Sequence, residues 1–216
     1  MNKSSQVRGI IFDMDNTLLR SRINFQMMKK QVADFLTEND LLQVDFPIQE
    51  HTTSTMIAYV KAKGMPEETY TEVMKMVVHY ELIGMEGAGL ESHVSELLTM
   101  LKSRYVLIIV TNNAYKAAVH ALEKTGIHSY FDLIIGREQM EAMKPSPSGY
   151  LAAKQHFPQI LEREWISVGD SWIDGRASID AGIPFISYGT NDHLMKEKGI
   201  TPIANIDSLL KLLDYV

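Results

Sequence analysis

Apolar positions along this chain fall into two textures. Short, largely apolar runs, the first over residues 7–12, are followed by stretches in which apolar residues recur at helical spacing. A short apolar run without alternation predicts a strand buried on both faces, as in a parallel sheet. "INFQMMKKQVADFLTEND" carries Phe25, Met28, Val32, Phe35 and Leu36 at helical spacing. "PIQEHTTSTMIAYVKAKG" predicts a second helix ending at Gly64. "MPEETYTEVMKMVVHYELIG" predicts a third, with Pro66 near its first turn and Gly84 near its end. From about residue 21 to 85 the pattern predicts helices and no strand.

After that the rhythm alternates. Strands are predicted at "YVLIIVTNN", "FDLIIG", "WISVGD" and "IPFISYG". Helices are predicted at "LESHVSELLTMLK", "AYKAAVHALEKTG", "SPSGYLAAKQH", "WIDGRASIDAG" and the closing "IDSLLKLLDYV". Strand–helix alternation of this kind predicts a doubly wound, Rossmann-like α/β core with a parallel sheet. The expected division is a core of residues 1–20 and 86–216, with an α-helical insertion over 21–85.

In such sheets ligands bind beyond the carboxyl ends of the strands, which directs attention to the residues after each apolar run. The first run ends in Asp13, Asp15 and Thr17, and the second in Thr111, Asn112 and Asn113. The third is followed by Lys144 in "MKPSPSGY", and the fourth by Gly169, Asp170, Ser171 and Asp174. Acids brought to one edge repel unless a cation stands among them. A hard divalent ion with oxygen ligands meets that need, and Mg²⁺ suits it because one or two carboxylates with water and phosphate suffice. Thr111 and backbone N–H groups at a helix start can hold phosphate oxygens, and Lys144 adds a positive charge.

Composition narrows the picture further. The chain has 216 residues, 45% hydrophobic and 22% charged, ordinary for a folded globular protein. The net charge of −6 comes without a basic cluster beyond pairs such as Lys29–Lys30, so nucleic-acid binding is not expected. There is no cysteine, which excludes disulfides, thiolate metal sites and cysteine nucleophiles. The longest aliphatic run, Val106–Val110, has five residues, far below the roughly 20 that a membrane helix needs. The opening "MNKSSQVRGIIFDMDN" does not read as a signal peptide. A cytoplasmic protein without membrane partners is expected.

The strand-end residues together resemble the haloacid dehalogenase (HAD) superfamily, mostly phosphatases and related phosphotransferases. "FDMDNTLL" is similar to the family's first motif, Asp-x-Asp-x-Thr after a hydrophobic strand. "VLIIVTNN" is similar to the second, the lysine of "MKPSPSGY" to the third, and "SVGDSWID" to the fourth. Singly each has an ordinary alternative: Asp13 and Asp15 as turn residues, Thr111 and Asn112 as a helix N-cap, Lys144 as a solvated loop lysine, Asp174 as a first-turn helix acid. Four in this order, over residues 7 to about 190, are specific. The helical stretch then resembles the family's inserted cap, in its phosphoglycolate phosphatase-like branch.

The resemblance implies a Mg²⁺-dependent phosphatase of small phosphorylated metabolites. By it, Asp13 is the nucleophile that forms an aspartyl-phosphate, and Asp15 the general acid and then base. The Asp13 carboxylate, the Asp15 backbone carbonyl and Asp170 hold Mg²⁺. Thr111 with backbone N–H groups near Asn112, and Lys144, bind the phosphoryl group, and Asp174 supports the metal or orients Lys144. Asn16 stands where relatives often have glycine, a position asparagine tolerates. Arg20 and Arg22 are candidates for an anionic substrate tail, and the seven methionines between residues 21 and 85 are expected to be ordinary packing.

Rival readings are weighed on the same residues. Haloalkanoate dehalogenation does not need Asp15. Phosphonate hydrolysis would need a cap lysine; Lys29 and Lys30 lie in the insertion, but no specific motif supports that role. A sugar phosphomutase keeps all four motifs and is the alternative enzyme. A non-catalytic phosphate-binding scaffold should have lost Asp13, Asp15 or Asp170. Monomer and homodimer are both open.

Overall fold

The structure is a computed structural model that describes residues 7–189 and 192–216. Residues 1–6, part of the stretch read above for a signal peptide, lie outside the described residues. The chain divides into two compact units, Met1–Ser21 with Ala88–Val216, and Arg22–Gly87.

The first unit is built on six parallel strands in the order β5-β4-β1-β6-β7-β8. These are β1 (Gly9–Phe12), β4 (Val106–Val110), β5 (Leu133–Ile135), β6 (Trp165–Gly169), β7 (Phe185–Tyr188) and β8 (Ala204–Ile206). Alternate residues of the inner strands are buried on both faces. Ile11, Ile108, Val110 and Ile135 join one core cluster with Tyr150, Ala153 and Trp165, while Ile10, Phe12, Ile109 and Val168 are buried as well. That explains why the strand sequences lack alternation. The helices of this unit are α4 (Val94–Leu101), α5 (Tyr115–Lys124), α6 (Ser148–His156), α7 (Trp172–Asp180) and α8 (Asp192–Glu197). Chain order runs from β1 outward to β4 and β5, then returns to the other side of β1 for β6. The carboxyl ends of β4, β1 and β6 therefore lie side by side where the winding reverses, the place such sheets use for ligands.

A two-stranded antiparallel ribbon, β2 (Leu19–Arg20) with β3 (Gly89–Leu90), also belongs to this unit. Neither it, nor α8, nor β8 stands out in the apolar pattern. The closing segment differs from expectation: it forms a 3₁₀ helix over Leu209–Asp214, not an α-helix. So short a segment forms few helical hydrogen bonds to offset the cost of nucleation, and burial of Leu209 and Leu212 fits a three-residue period.

The second unit contains α1 (Phe25–Glu38), α2 (Thr53–Ala62) and α3 (Glu67–Glu86). α1 packs on both α2 and α3, burying Val32, Leu36, Ile57, Val60, Val73 and Val77. Met28, Met56 and Met85 are buried too, as packing residues would be. The single helix expected over 47–64 is interrupted. A 3₁₀ turn at Ile48–Glu50 ends before Thr52, whose hydroxyl accepts from the Thr55 N–H while the Thr55 hydroxyl accepts from the Thr52 N–H. This reciprocal cap starts α2 afresh at Thr53. Gly84 lies in the last turn of α3, as expected. A Cβ there would come within 2.5 Å of the Ile23 backbone, so glycine marks a close crossing, sealed by the Arg22 N–H donating to the Gly84 carbonyl at 3.0 Å. Among the described residues no helix is long and apolar enough to cross a membrane.

Candidate active site

Asp13 follows directly on β1 and keeps the strand's register, its N–H donating to the Val168 carbonyl at 2.9 Å. The chain then turns sharply. Asn16 adopts a left-handed conformation (φ +54°), which asparagine tolerates better than most residues. Its N–H reaches the Leu19 carbonyl at 2.7 Å, and the N–H groups of Leu18 and Leu19 share the Met14 carbonyl. The loop folds Thr17 back, and its hydroxyl donates to Asp13 Oδ2 at 3.3 Å. Asp13 and Thr17 are both buried.

Lys144 joins these from the loop after β5. Its side chain is almost wholly buried, and its ammonium donates to Asp13 Oδ1 (2.6 Å), Asp174 Oδ1 (2.6 Å) and the Val110 carbonyl (2.9 Å). An ammonium has three protons, and here each has an acceptor. Asp174 lies in the first turn of α7, with Oδ2 accepting from the Ser171 N–H at 3.0 Å. It is a helix-start acid and the partner of Lys144 at once. Gly169 makes room for it, since a Cβ at that position would stand 2.6 Å from Asp174 Cβ.

Thr111 extends β4 by one bond, its N–H donating to the Ile135 carbonyl at 3.0 Å. Its hydroxyl oxygen accepts from the Asn113 N–H at 3.2 Å, which leaves the hydroxyl proton available to a ligand. Neither Thr111 nor Asn112 caps α5; Ala114 occupies that position. The Asn112 side chain is hydrogen-bonded to the backbone of Lys144.

Two contributors were not among the candidate site residues. Asn113 Nδ2 donates to Asp15 Oδ2 at 2.7 Å and so orients that carboxylate. Arg137, buried in a 3₁₀ turn after β5, donates from Nη1 to the Asn112 carbonyl at 2.8 Å. Asn113 was at least visible at a strand end, whereas nothing local marks Arg137. Three of the other cations raised from the sequence are engaged elsewhere. Arg20 pairs with Glu91 at 3.5 Å, Lys29 donates to the His51 carbonyl and Lys30 pairs with Asp34.

Asp13, Asp170 and Asp174 each bring a carboxylate oxygen within 4.8 Å of the others. Burial, then the negative charges of Asp13 and Asp174, hold the Asp170 carboxyl well above the usual carboxylate range. Burial raises Asp174 to about 6 even though Lys144 pulls the other way. For Lys144, burial opposes the charge, but Asp13 and Asp174 together outweigh it and keep the ammonium protonated far beyond its ordinary range. The cluster thus has more buried negative charge than one lysine neutralises. An all-oxygen donor set with surplus charge fits a hard divalent cation.

Comparison with known proteins agrees with this geometry. The family model described as haloacid dehalogenase-like hydrolase matches residues 10–188. The phosphoglycolate phosphatase of Escherichia coli (strain K12) is 27% identical, over 88% of this chain and 85% of its own. The crystal structure of a predicted phosphoglycolate phosphatase from Haemophilus somnus 129pt superposes with a TM-score of 0.68 at 20% identity, covering 97% and 98% of the two chains. A putative β-phosphoglucomutase from Thermotoga maritima shares the fold at TM-score 0.64 and 20% identity, covering 97% of this chain and 100% of its own. With most of its length matched and its four motifs gathered at one sheet edge, the chain belongs to the haloacid dehalogenase-like hydrolase family.

Proposed function

We propose that this protein is a Mg²⁺-dependent phosphatase of small phosphorylated metabolites that works through an aspartyl-phosphate on Asp13. The observation that carries the reading is the buried ion cluster in which Lys144 joins Asp13 and Asp174, with Thr111 and Asp170 at neighbouring strand ends.

In this reading Asp13 attacks phosphorus, and the ester oxygen departs with a proton from Asp15. Asp15, now a carboxylate, takes a proton from the water that cleaves the acyl phosphate. The amide of Asn113 holds Asp15 ready for both steps. Lys144 and the Thr111 hydroxyl stabilise phosphoryl oxygens, with the backbone N–H groups near Asn112. Asp174, whose oxygens already serve Lys144 and Ser171, orients the lysine. Asp13, Asp170 and the Asp15 carbonyl would hold the cation, which supplies charge neutralisation for the dianionic substrate. The unit Arg22–Gly87 is read as the cap that selects the substrate, and the cytoplasm as the place of action.

The test is phosphate release from a panel of phosphorylated metabolites, with phosphoglycolate and a chromogenic aryl phosphate included. Release is expected with Mg²⁺ and is expected to vanish with chelator. Folded, Mg²⁺-loaded protein that releases nothing from any of them would overturn the reading.

The raised carboxyl groups give a second expectation. In metal-free protein, folded Asp174 keeps a proton up to about pH 6, whereas an unfolded aspartate loses it near pH 4. Across that window the folded state binds more protons, so this group's contribution to stability declines as pH rises and stays low above it. Mg²⁺ relieves the repulsion only where the acids are ionised. It should therefore raise Tm by about 5 °C near pH 7.5 and by much less near pH 5. Equal increments at the two pH values would show that the cation does not bind at these acids.

A further inference from the structure

The side chain of Asn112 is occupied by a task other than phosphate binding. Its Nδ2 donates to the Lys144 carbonyl at 3.0 Å, and its Oδ1 accepts from the Lys144 N–H at 2.8 Å. One planar amide thus offers the Lys144 backbone the donor and acceptor that a neighbouring strand would. The loop needs such a substitute, since residues 140–147 form neither helix nor strand. The Asn112 backbone is held in turn. Arg137 Nη1 donates to the Asn112 carbonyl at 2.8 Å, and the Arg137 N–H donates to the Asn113 carbonyl at 2.9 Å. Arg137 itself sits in the 3₁₀ turn that follows β5.

We propose that Asn112 and Arg137 are positioning residues for Lys144, forming a clamp that fixes its Cα so that the ammonium meets Asp13, Asp174 and the Val110 carbonyl together. The proposal rests on the phosphatase reading in so far as Lys144 serves the transferred phosphoryl group. The physical need is clear from the lysine itself. Four rotatable methylenes separate Cα from Nζ, so an unfixed backbone would let the head group wander, and displacement by about 1 Å can cost about 100-fold in rate. Ordinary loop stabilisation predicts something different. It would lower the melting temperature without singling out Lys144.

The experiment compares wild type, Asn112→Ala, Arg137→Ala, Lys144→Met and the Asn112→Ala/Lys144→Met double variant. Asn112→Ala should lower kcat about 100-fold with KM altered less than about threefold, and Arg137→Ala should lower kcat about tenfold. In the Lys144→Met background, Asn112→Ala should cost less than about threefold more, because residues that act through one another are not additive. Multiplying losses would overturn the clamp. Amide hydrogen exchange supplies a measurement that needs no activity. Protection of the Lys144 amide should fall at least about tenfold in Asn112→Ala while amides of β1 and β6 keep theirs. Unchanged protection at Lys144 would overturn the clamp even if phosphate release is normal. Absent release by wild type with lost Lys144 protection in the variant would instead uphold the clamp and sink the phosphatase reading.

Discussion

Asp13→Asn is expected to lower phosphate release by about 10⁴-fold or more while the protein still folds. The amide nitrogen has no lone pair to offer phosphorus, and the amide oxygen is a far weaker nucleophile than a carboxylate, so the covalent step has no attacking atom. The fold survives because Lys144 keeps Asp174 and the Val110 carbonyl, and because an amide oxygen still accepts from it. Removing one negative charge from a cluster with surplus acid even relieves part of its repulsion. The measurement is phosphate release at saturating substrate with a thermal melt beside it. A residual rate within about tenfold of wild type, from a variant that melts normally, would take Asp13 out of the covalent step.

Lys144→Met should fail in two ways at once. The rate should fall by about 10³-fold, since the charge facing the phosphoryl oxygens is gone. Stability should fall too, by about 3–5 kcal/mol, because two buried carboxylates lose their counter-ion. For a chain of this size that is a Tm drop of roughly 10 °C. The drop should shrink as pH falls, because Asp174, freed from the downward pull of Lys144, takes up a proton instead of standing as an unpaired charge. Calorimetry across pH reads both parts. A variant that melts within about 1 kcal/mol of wild type at neutral pH would mean that the lysine contributes chemistry without holding the core together.

What the sequence revealed and what it concealed follow from the range of the interactions. The strands at 106–110 and 165–169 were legible because burial on both faces demands largely apolar runs. Asp13, Thr111 and Asp170 were legible because the ends of such runs converge in a doubly wound sheet. Lys144 was visible only through its motif, since nothing local tells a buried loop lysine from a solvated one. The ribbon of Leu19–Arg20 with Gly89–Leu90 has two residues a strand, too few for any period to show. The bonds from Asn113 to Asp15, from Arg137 to Asn112 and from Asn112 to Lys144 each join separate chain segments. Such pairs leave no trace in spacing along the chain, so the bonds between the Asn112 amide and the Lys144 backbone were not legible in it.

The way the two units close has a consequence for how such proteins diversify. Leu19 and Arg20 pair with Leu90 and Gly89 within the first unit, while the Arg22 N–H bonds the Gly84 carbonyl within the second. Each unit therefore stitches its own two chain ends together on its own side of the junction. Residues 22–87 form a cassette whose entry and exit are already brought side by side, so a sister cassette of different length could be spliced in with the fold of the first unit left intact. The two units can then be inherited, or recombined in the laboratory, as separate modules.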